Sequence, residues 1–120
     1  MDSSVSESYQ IVYYVDRKGR EPVKEYIKEL PKKERAKIFG YIDLLKESRG
    51  YLDEPYAKHI KGKIRELRID FSRNRHRIFY FVAIGKTIIL LHAFLKKTPK
   101  TPPNEIQKAA ERYEEFQRNQ

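Results

Sequence analysis

Residues Ile64–Leu95 read IRELRIDFSRNRHRIFYFVAIGKTIILLHAFL, and this stretch decides the fold. Its first part, Ile64 to Phe71, alternates. Leu67, Ile69 and Phe71 point one way and Glu66, Arg68 and Asp70 the other, the two-residue period of a half-buried strand. Arg73-Asn74 supplies a turn. Arg75 to Ile84 (RHRIFYFVAI) is then long, aromatic and β-branched, the composition that suits a pleated surface. Gly85-Lys86 joins it to Thr87–Leu95, an almost wholly apolar run that suits a central strand covered on both faces. Strands joined by turns this short must pair antiparallel.

Upstream, Tyr9 to Val15 (YQIVYYV) reads as a further strand, closed by Asp16-Arg17-Lys18-Gly19. Pro22 suits a first helical position, with Val23, Tyr26, Ile27 and Leu30 following at helical spacing. Pro31 separates that helix from a longer one, Lys32 to Ser48, whose apolar side is Ile38, Phe39, Ile42 and Leu45, with Gly50 as the stop. A loop runs through Asp53-Glu54-Pro55. Downstream, KKTPKTPP (Lys96–Pro103) ends the sheet, and Thr101 can cap a last helix that has Pro102 at its first position. Ile106, Ala109, Ala110, Tyr113 and Phe116 form that helix's apolar stripe. The order β-α-α-β-β-β-α predicts an α+β fold, an antiparallel sheet with helices packed on it. Residues 1–8 read as a disordered, Ser-rich lead-in and 9–118 as a single domain.

The 120 residues include no cysteine, which removes disulfides, a thiolate nucleophile and Cys-based zinc sites from consideration. The longest apolar run, Ile88 to Leu91, is far too short to span a bilayer, so a soluble cytoplasmic protein without a membrane partner is expected. The charge is segregated. Ala57–Lys100 holds twelve basic residues against Glu66 and Asp70 alone, a net of +10, while the rest of the chain has 14 basic and 15 acidic side chains. A field gathered into one segment attracts a polyanion. Lys58, Lys61, Lys63, Arg65, Arg73, Arg75, Lys96 and Lys100 are the candidate phosphate contacts, set against the plainer reading of a solvated face that keeps the protein soluble. Among three histidines no pair has metal-ligand spacing, and five glycines form no nucleotide fingerprint, so neither a metal nor a cofactor is expected.

The ordered series Ile64-Arg65-Glu66-Leu67-Arg68, Arg77-Ile78-Phe79-Tyr80-Phe81 and Leu90-Leu91-His92-Ala93-Phe94-Leu95-Lys96-Lys97-Thr98 resembles the RelE/ParE toxin superfamily. It is most similar to the HigB-like, phage-derived branch, and the likeness continues through Pro102-Pro103 into the last helix. The resemblance implies a ribosome-dependent mRNA interferase of a type II toxin–antitoxin module. Its implied partners are mRNA, the ribosome and a cognate HigA-like antitoxin carrying a helix-turn-helix domain, with DNA reached only through the antitoxin complex. Three residues carry over. Arg77 matches the sheet arginine that stabilises the reacting phosphate, Arg68 the arginine of the "ELR" strand, and Lys97 a basic residue at the end of the last strand. The general base does not carry over. Where some relatives have a tyrosine this chain has Pro102-Pro103, and its tail reads Glu114-Glu115-Phe116 where others use His, Asp and Tyr.

RNA cleavage without a metal needs the 2′-hydroxyl deprotonated, the phosphorane's charge stabilised and the leaving 5′-oxygen protonated. Arg68 and Arg77, on neighbouring strands, can converge on one phosphate, each guanidinium offering a planar fork. Crowding by other cations lets Lys96 or Lys97 exchange a proton. The competing reading pairs Arg68 with Glu66 or Asp70 and leaves it no catalytic role. His92, in the middle of an apolar strand, reads as a core residue more readily than a catalyst. His59 falls in a basic loop and His76 in a turn, and Tyr13, Tyr14 and Tyr80 either stack on bases or pack. A non-cleaving RNA- or ribosome-binding module and a DNA-binding regulator are the alternatives to a nuclease.

Overall fold

The computed structural model describes residues 8–119. The lead-in expected over 1–8 falls, Ser8 apart, outside the described residues. The elements are β1 (Gln10–Tyr13), α1 (Pro22–Lys28), α2 (Lys32–Glu47), β2 (Ala57–Lys61), β3 (Ile64–Phe71), β4 (Asn74–Ala83), β5 (Thr87–Leu95) and α3 (Pro103–Arg118). The α+β class and the three-strand ladder of β3, β4 and β5 follow the sequence reading. Two features correct it.

The sheet is mixed, in the order β1-β5-β4-β3-β2, because β1 runs parallel to β5. All other pairs are antiparallel. A parallel neighbour needs a long crossover, and here α1, α2 and the other strands all lie between β1 and β5 in sequence. The second correction is β2, which the sequence reading passes over. AKHIK holds only two apolar residues, and it becomes a strand by pairing along the edge of β3, Ala57 opposite Leu67 and His59 opposite Arg65. Its lysines face solvent, the usual guard on an exposed edge.

The sheet has two apolar faces. On one, Leu67, Ile69, Ile78, Tyr80, Ile88 and Leu90 pack against Val23 and Ile27 of α1 and Ile38, Ile42 and Leu45 of α2. The inward stripe of α2 begins at Glu34, which is buried, while Phe39, expected on that stripe, is 41% exposed. Glu34 is tolerated there because Asn74 Nδ2 donates to it at 2.7 Å and His76 bonds its carboxylate. The other ring nitrogen of His76 meets the Tyr26 hydroxyl at 2.7 Å. His76 is therefore a buried residue of β4 that ties α1, α2 and the sheet together, not a turn residue.

The turn after α2 is a Schellman cap. The Gly50 N–H bonds the Leu45 carbonyl at 2.9 Å and the Arg49 N–H the Lys46 carbonyl at 3.1 Å. Gly50 has φ +82°, and a Cβ there would lie 2.4 Å from Val82 Cγ2. Only glycine meets both demands.

On the other face, α3 lays Ile106, Ala109, Tyr113 and Phe116 over Phe79, Phe81, Ile89 and Leu91. Pro102 is the residue before the helix and Pro103 its first, one place later than expected, and Thr101 makes no cap. Its hydroxyl instead donates to Glu66 Oε2 at 3.3 Å. No helix of the described residues is long and apolar enough to cross a membrane.

Candidate nucleic-acid interface

The α3 helix covers only part of its face. Along β3 the residues Glu66, Arg68 and Asp70 share that side, and the register sets Arg68 directly opposite Arg77, with Arg77 opposite Phe94 of β5. Past Phe79 and Leu91 the face continues through Phe94 and Arg77, which are buried at 6% and 3% exposure, while Arg68 and Asp70 beside them reach solvent. The expected convergence of Arg68 and Arg77 is thus a matter of pairing, two residues facing each other across an antiparallel ladder.

Glu66 anchors the group. It is 1% exposed, and its Oε1 lies 3.6 Å from Arg68 Nε and 4.0 Å from Arg77 Nε. Both separations are too long for a hydrogen bond, so the carboxylate balances the guanidinium charges without locking them. Arg77 is held elsewhere, its Nη1 donating to Asp70 Oδ1 at 2.8 Å and to the His76 carbonyl at 3.0 Å. Its Nε is, among the described residues, the buried side-chain polar atom left without a hydrogen-bond partner. An unmet donor on a permanent cation favours an acceptor at this position. Arg68 keeps about a quarter of its side chain in water and has a second carboxylate, Glu54, at 3.7 Å. The Asp70 side chain is 63% exposed. Burial pushes its carboxyl up, but the hydrogen bond from Arg77 and the charges of Arg77, Arg75 and Arg68 outweigh that and hold it below its ordinary value.

Lys96, just past the end of β5, completes the cluster. Its ammonium is held below the ordinary lysine value, first by burial and then by Arg77, Arg68 and Lys58, with Glu66 pulling the other way. Lys97 is exposed one residue further on. Lys58 of β2 is exposed beside the cluster; Lys61 and Lys63 are exposed around the β2–β3 turn, and Arg73, Arg75 and Lys100 are exposed as well. Arg65 is different. It lies on the opposite face, where its Nε donates to the Tyr80 hydroxyl at 3.2 Å, its Nη2 to the Leu52 carbonyl at 2.9 Å, and its guanidinium covers the Tyr51 ring. That environment makes Arg65 a brace between the sheet and the loop before β2.

His92 is engaged by α3. A bulge in the β4–β5 ladder between Phe79 and Tyr80 brings it to the α3 side, where its Nε2 meets Glu105 Oε1 at 2.6 Å and its Nδ1 meets Arg112 at 3.2 Å. Burial holds its pKa below the ordinary value, against the pull of Glu105.

A cleft of about 320 Å³ opens from the cluster around the free end of β3. Arg68, Arg77 and Asp70 form one wall and Lys37, Tyr41 and Tyr56 the other. The sequence reading names none of these last three. Tyr41 and Lys37 lie on a helix and Tyr56 in a loop, and only the folded edge of β3 brings them beside the arginines. The one legible signal is that Tyr56 immediately precedes the basic segment.

These features define a class: a small α+β domain of RelE-like architecture, whose sheet carries a cationic cluster with Arg77 buried and Arg68 partly exposed. The chain belongs to the family described as Phage derived protein Gp49-like (DUF891), whose family model matches residues 25–114. This is a family of RelE/ParE-like toxins, associated with toxin–antitoxin modules. The matched region contains every residue of the cluster and of the cleft. No curated protein matches the chain.

Proposed function

We propose that this chain is the HigB-like toxin of a type II toxin–antitoxin module, an endoribonuclease that cleaves mRNA on the translating ribosome. The observation that carries the reading is the group formed by Arg68, Arg77 and Lys96 around the buried carboxylate of Glu66, with the Nε of Arg77 unmet. In the reaction, the ribose 2′-hydroxyl gives its proton to water as its oxygen bonds the adjacent phosphorus, the bond to the 5′-oxygen breaks, and that oxygen takes up a proton, leaving a 2′,3′-cyclic phosphate and a 5′-hydroxyl. Charge builds on the non-bridging oxygens, where fixed guanidinium groups are most effective. Arg77, anchored by Asp70 and the backbone, is the preorganised member, and Arg68, a quarter exposed, is the one nearer solvent. An ammonium with a lowered pKa suits proton transfer to the leaving oxygen, and Lys96 stands in the cluster to do it, with Lys97 beside it as a further cation. The exposed Lys58, Lys61, Lys63, Arg73, Arg75 and Lys100 extend the basic surface along the RNA. An antitoxin of the HigA-like kind silences the toxin by covering this surface or by keeping the complex out of the ribosome, and it supplies any contact with DNA.

The test is cleavage of mRNA on programmed ribosomes by variants whose melting transitions match the wild type. Arg77→Ala removes a preorganised donor and is expected to lower the rate by about 10² to 10³. Arg77→Lys restores charge without the fork and is expected to recover only part of it. Wild-type rates from both Arg77→Ala and Arg68→Ala would overturn the proposal.

A further inference from the structure

We propose that Tyr56, backed by Tyr41, is a stacking platform for the nucleobase next to the phosphate held by Arg68 and Arg77. This inference rests on the reading of the chain as an RNA-cleaving toxin and names the part of the substrate that the cleft takes.

The geometry is specific to this corner. Tyr56 is 44% exposed. It is nonetheless fixed at the backbone, its N–H bonding the Asp53 carbonyl at 2.9 Å and its carbonyl accepting from the Arg68 N–H at 2.9 Å. That second bond places the ring's own residue next to one of the two arginines. Tyr41, partly buried against the core, supports it from α2, with ring centroids 6.1 Å apart and planes inclined by 55°. The two rings are too close to admit a base between them, so it is the outer face of Tyr56 that is available. Lys37 closes the far side. Its ammonium donates to the Asp70 carbonyl and sits 5.8 Å from the Tyr41 ring centre.

An aromatic face and two guanidinium groups lining one cleft match the two halves of a nucleotide. Every base has a π-face, so the platform is tolerant of sequence, and the larger overlap of a purine makes purines preferred. Stacking here also fixes the ribose between the ring and Arg68, which orients the 2′-oxygen for attack.

The experiment measures binding of the full chain to ribosomes programmed with a messenger carrying 2′-O-methyl riboses, so that nothing is cleaved. Tyr56→Ala is expected to weaken binding about 5- to 150-fold, the usual effect of losing one stacked base. Tyr56→Phe, which keeps the ring, is expected to stay within about twofold of the wild type. A messenger made abasic at successive nucleotides of the vacant codon should lose the same factor at one position with the wild type and nothing further with Tyr56→Ala. If Tyr56→Ala binds like the wild type, or no abasic position matters, the platform is wrong. Should Arg68→Ala and Arg77→Ala still weaken binding in that case, the RNA reading survives it. A wild-type chain that does not bind the programmed ribosome overturns both.

Discussion

Replacing Glu66 by Gln tests whether the cluster is an anion site in waiting. The carboxylate lies 3.6 Å from Arg68 Nε and 4.0 Å from Arg77 Nε. At those separations, with an effective dielectric constant of about 20, each pair attracts by about 4 kcal/mol before desolvation. Burial at 1% exposure cancels much of this, so the pairs do little net stabilising relative to an apolar site. Removing the anion alone is another matter, since it strands the cations, at a usual cost of about 3 to 5 kcal/mol. Arg68 keeps a quarter of its side chain in water and can rehydrate, which favours the lower end, about 3 kcal/mol. For a domain this size that lowers the melting temperature by about 10 °C. The amide preserves shape and the contact with Thr101, so the loss is one of charge. Urea unfolding with added phosphate is the assay. An anion binding only the folded state at a hundred times its dissociation constant adds about 2.7 kcal/mol. It should bind the variant more tightly than the wild type and rescue it more. A Glu66→Gln protein as stable as the wild type without added anion refutes the reasoning. So does phosphate that rescues Glu66→Gln and the Glu66→Gln/Arg77→Ala double variant equally.

Asp70→Asn releases Arg77 Nη1 from its 2.8 Å partner and is expected to raise RNA affinity severalfold, measured by the same ribosome binding. Binding of the wild type should weaken steeply with salt, and neutralising Lys61 and Lys63 together should flatten the salt slope by about 2 while leaving the cleavage rate at saturation. Glu34 is held below the ordinary glutamate value by Asn74 and then His76. A depressed carboxylate gives stability that is complete above the unfolded value and lost as pH falls through the folded one, so Glu34→Gln should flatten the acid limb of a stability–pH curve below about pH 4.5. Gly50→Ala meets both the φ of +82° and Val82 Cγ2 at 2.4 Å, and is expected to cost about 2 to 4 kcal/mol. Combining it with Val82→Ala should return the steric part in a double-mutant cycle, and no coupling between the two would argue against the clash.

What could be read from the sequence was what strands and helices announce locally. The alternation of Ile64–Phe71 and the apolar run of Thr87–Leu95 name their strands because burial on one or two faces is written residue by residue. The facing of Arg68 and Arg77 is set by the turn itself, which falls at Ser72-Arg73 and pairs Phe71 with Asn74. The turn read at Arg73-Asn74 would set Arg68 opposite Phe79 instead, so the alternation names the face and the fold corrects the register. What depends on distant partners was silent. Strand β2 exists because β3 offers an edge, and β1 is parallel because it docks beside β5, neither of which leaves a periodic mark. His76 looked like a turn residue because its partners, Glu34 and Tyr26, lie 42 and 50 positions away. Arg65 looked like its basic neighbours, yet the one-residue step that separates it from Glu66 sends it to the opposite face.

That step also explains how one strand can serve both the core and the site. On β3 the odd residues Leu67 and Ile69 fasten the sheet to α1 and α2, while the even residues Glu66, Arg68 and Asp70 are left to α3. The α3 helix begins at Pro103, and its apolar stripe shares one cluster with Phe79, Phe81, Ile89, Leu91 and Phe94 of the sheet. Before it, the stretch Lys96 to Pro102 stays out of helix and keeps Lys96 near the arginines. The segment that sequence reading treats as a mere breaker is thus part of the cluster: its Thr101 bonds the buried Glu66, and Arg77 beside it is only 3% exposed.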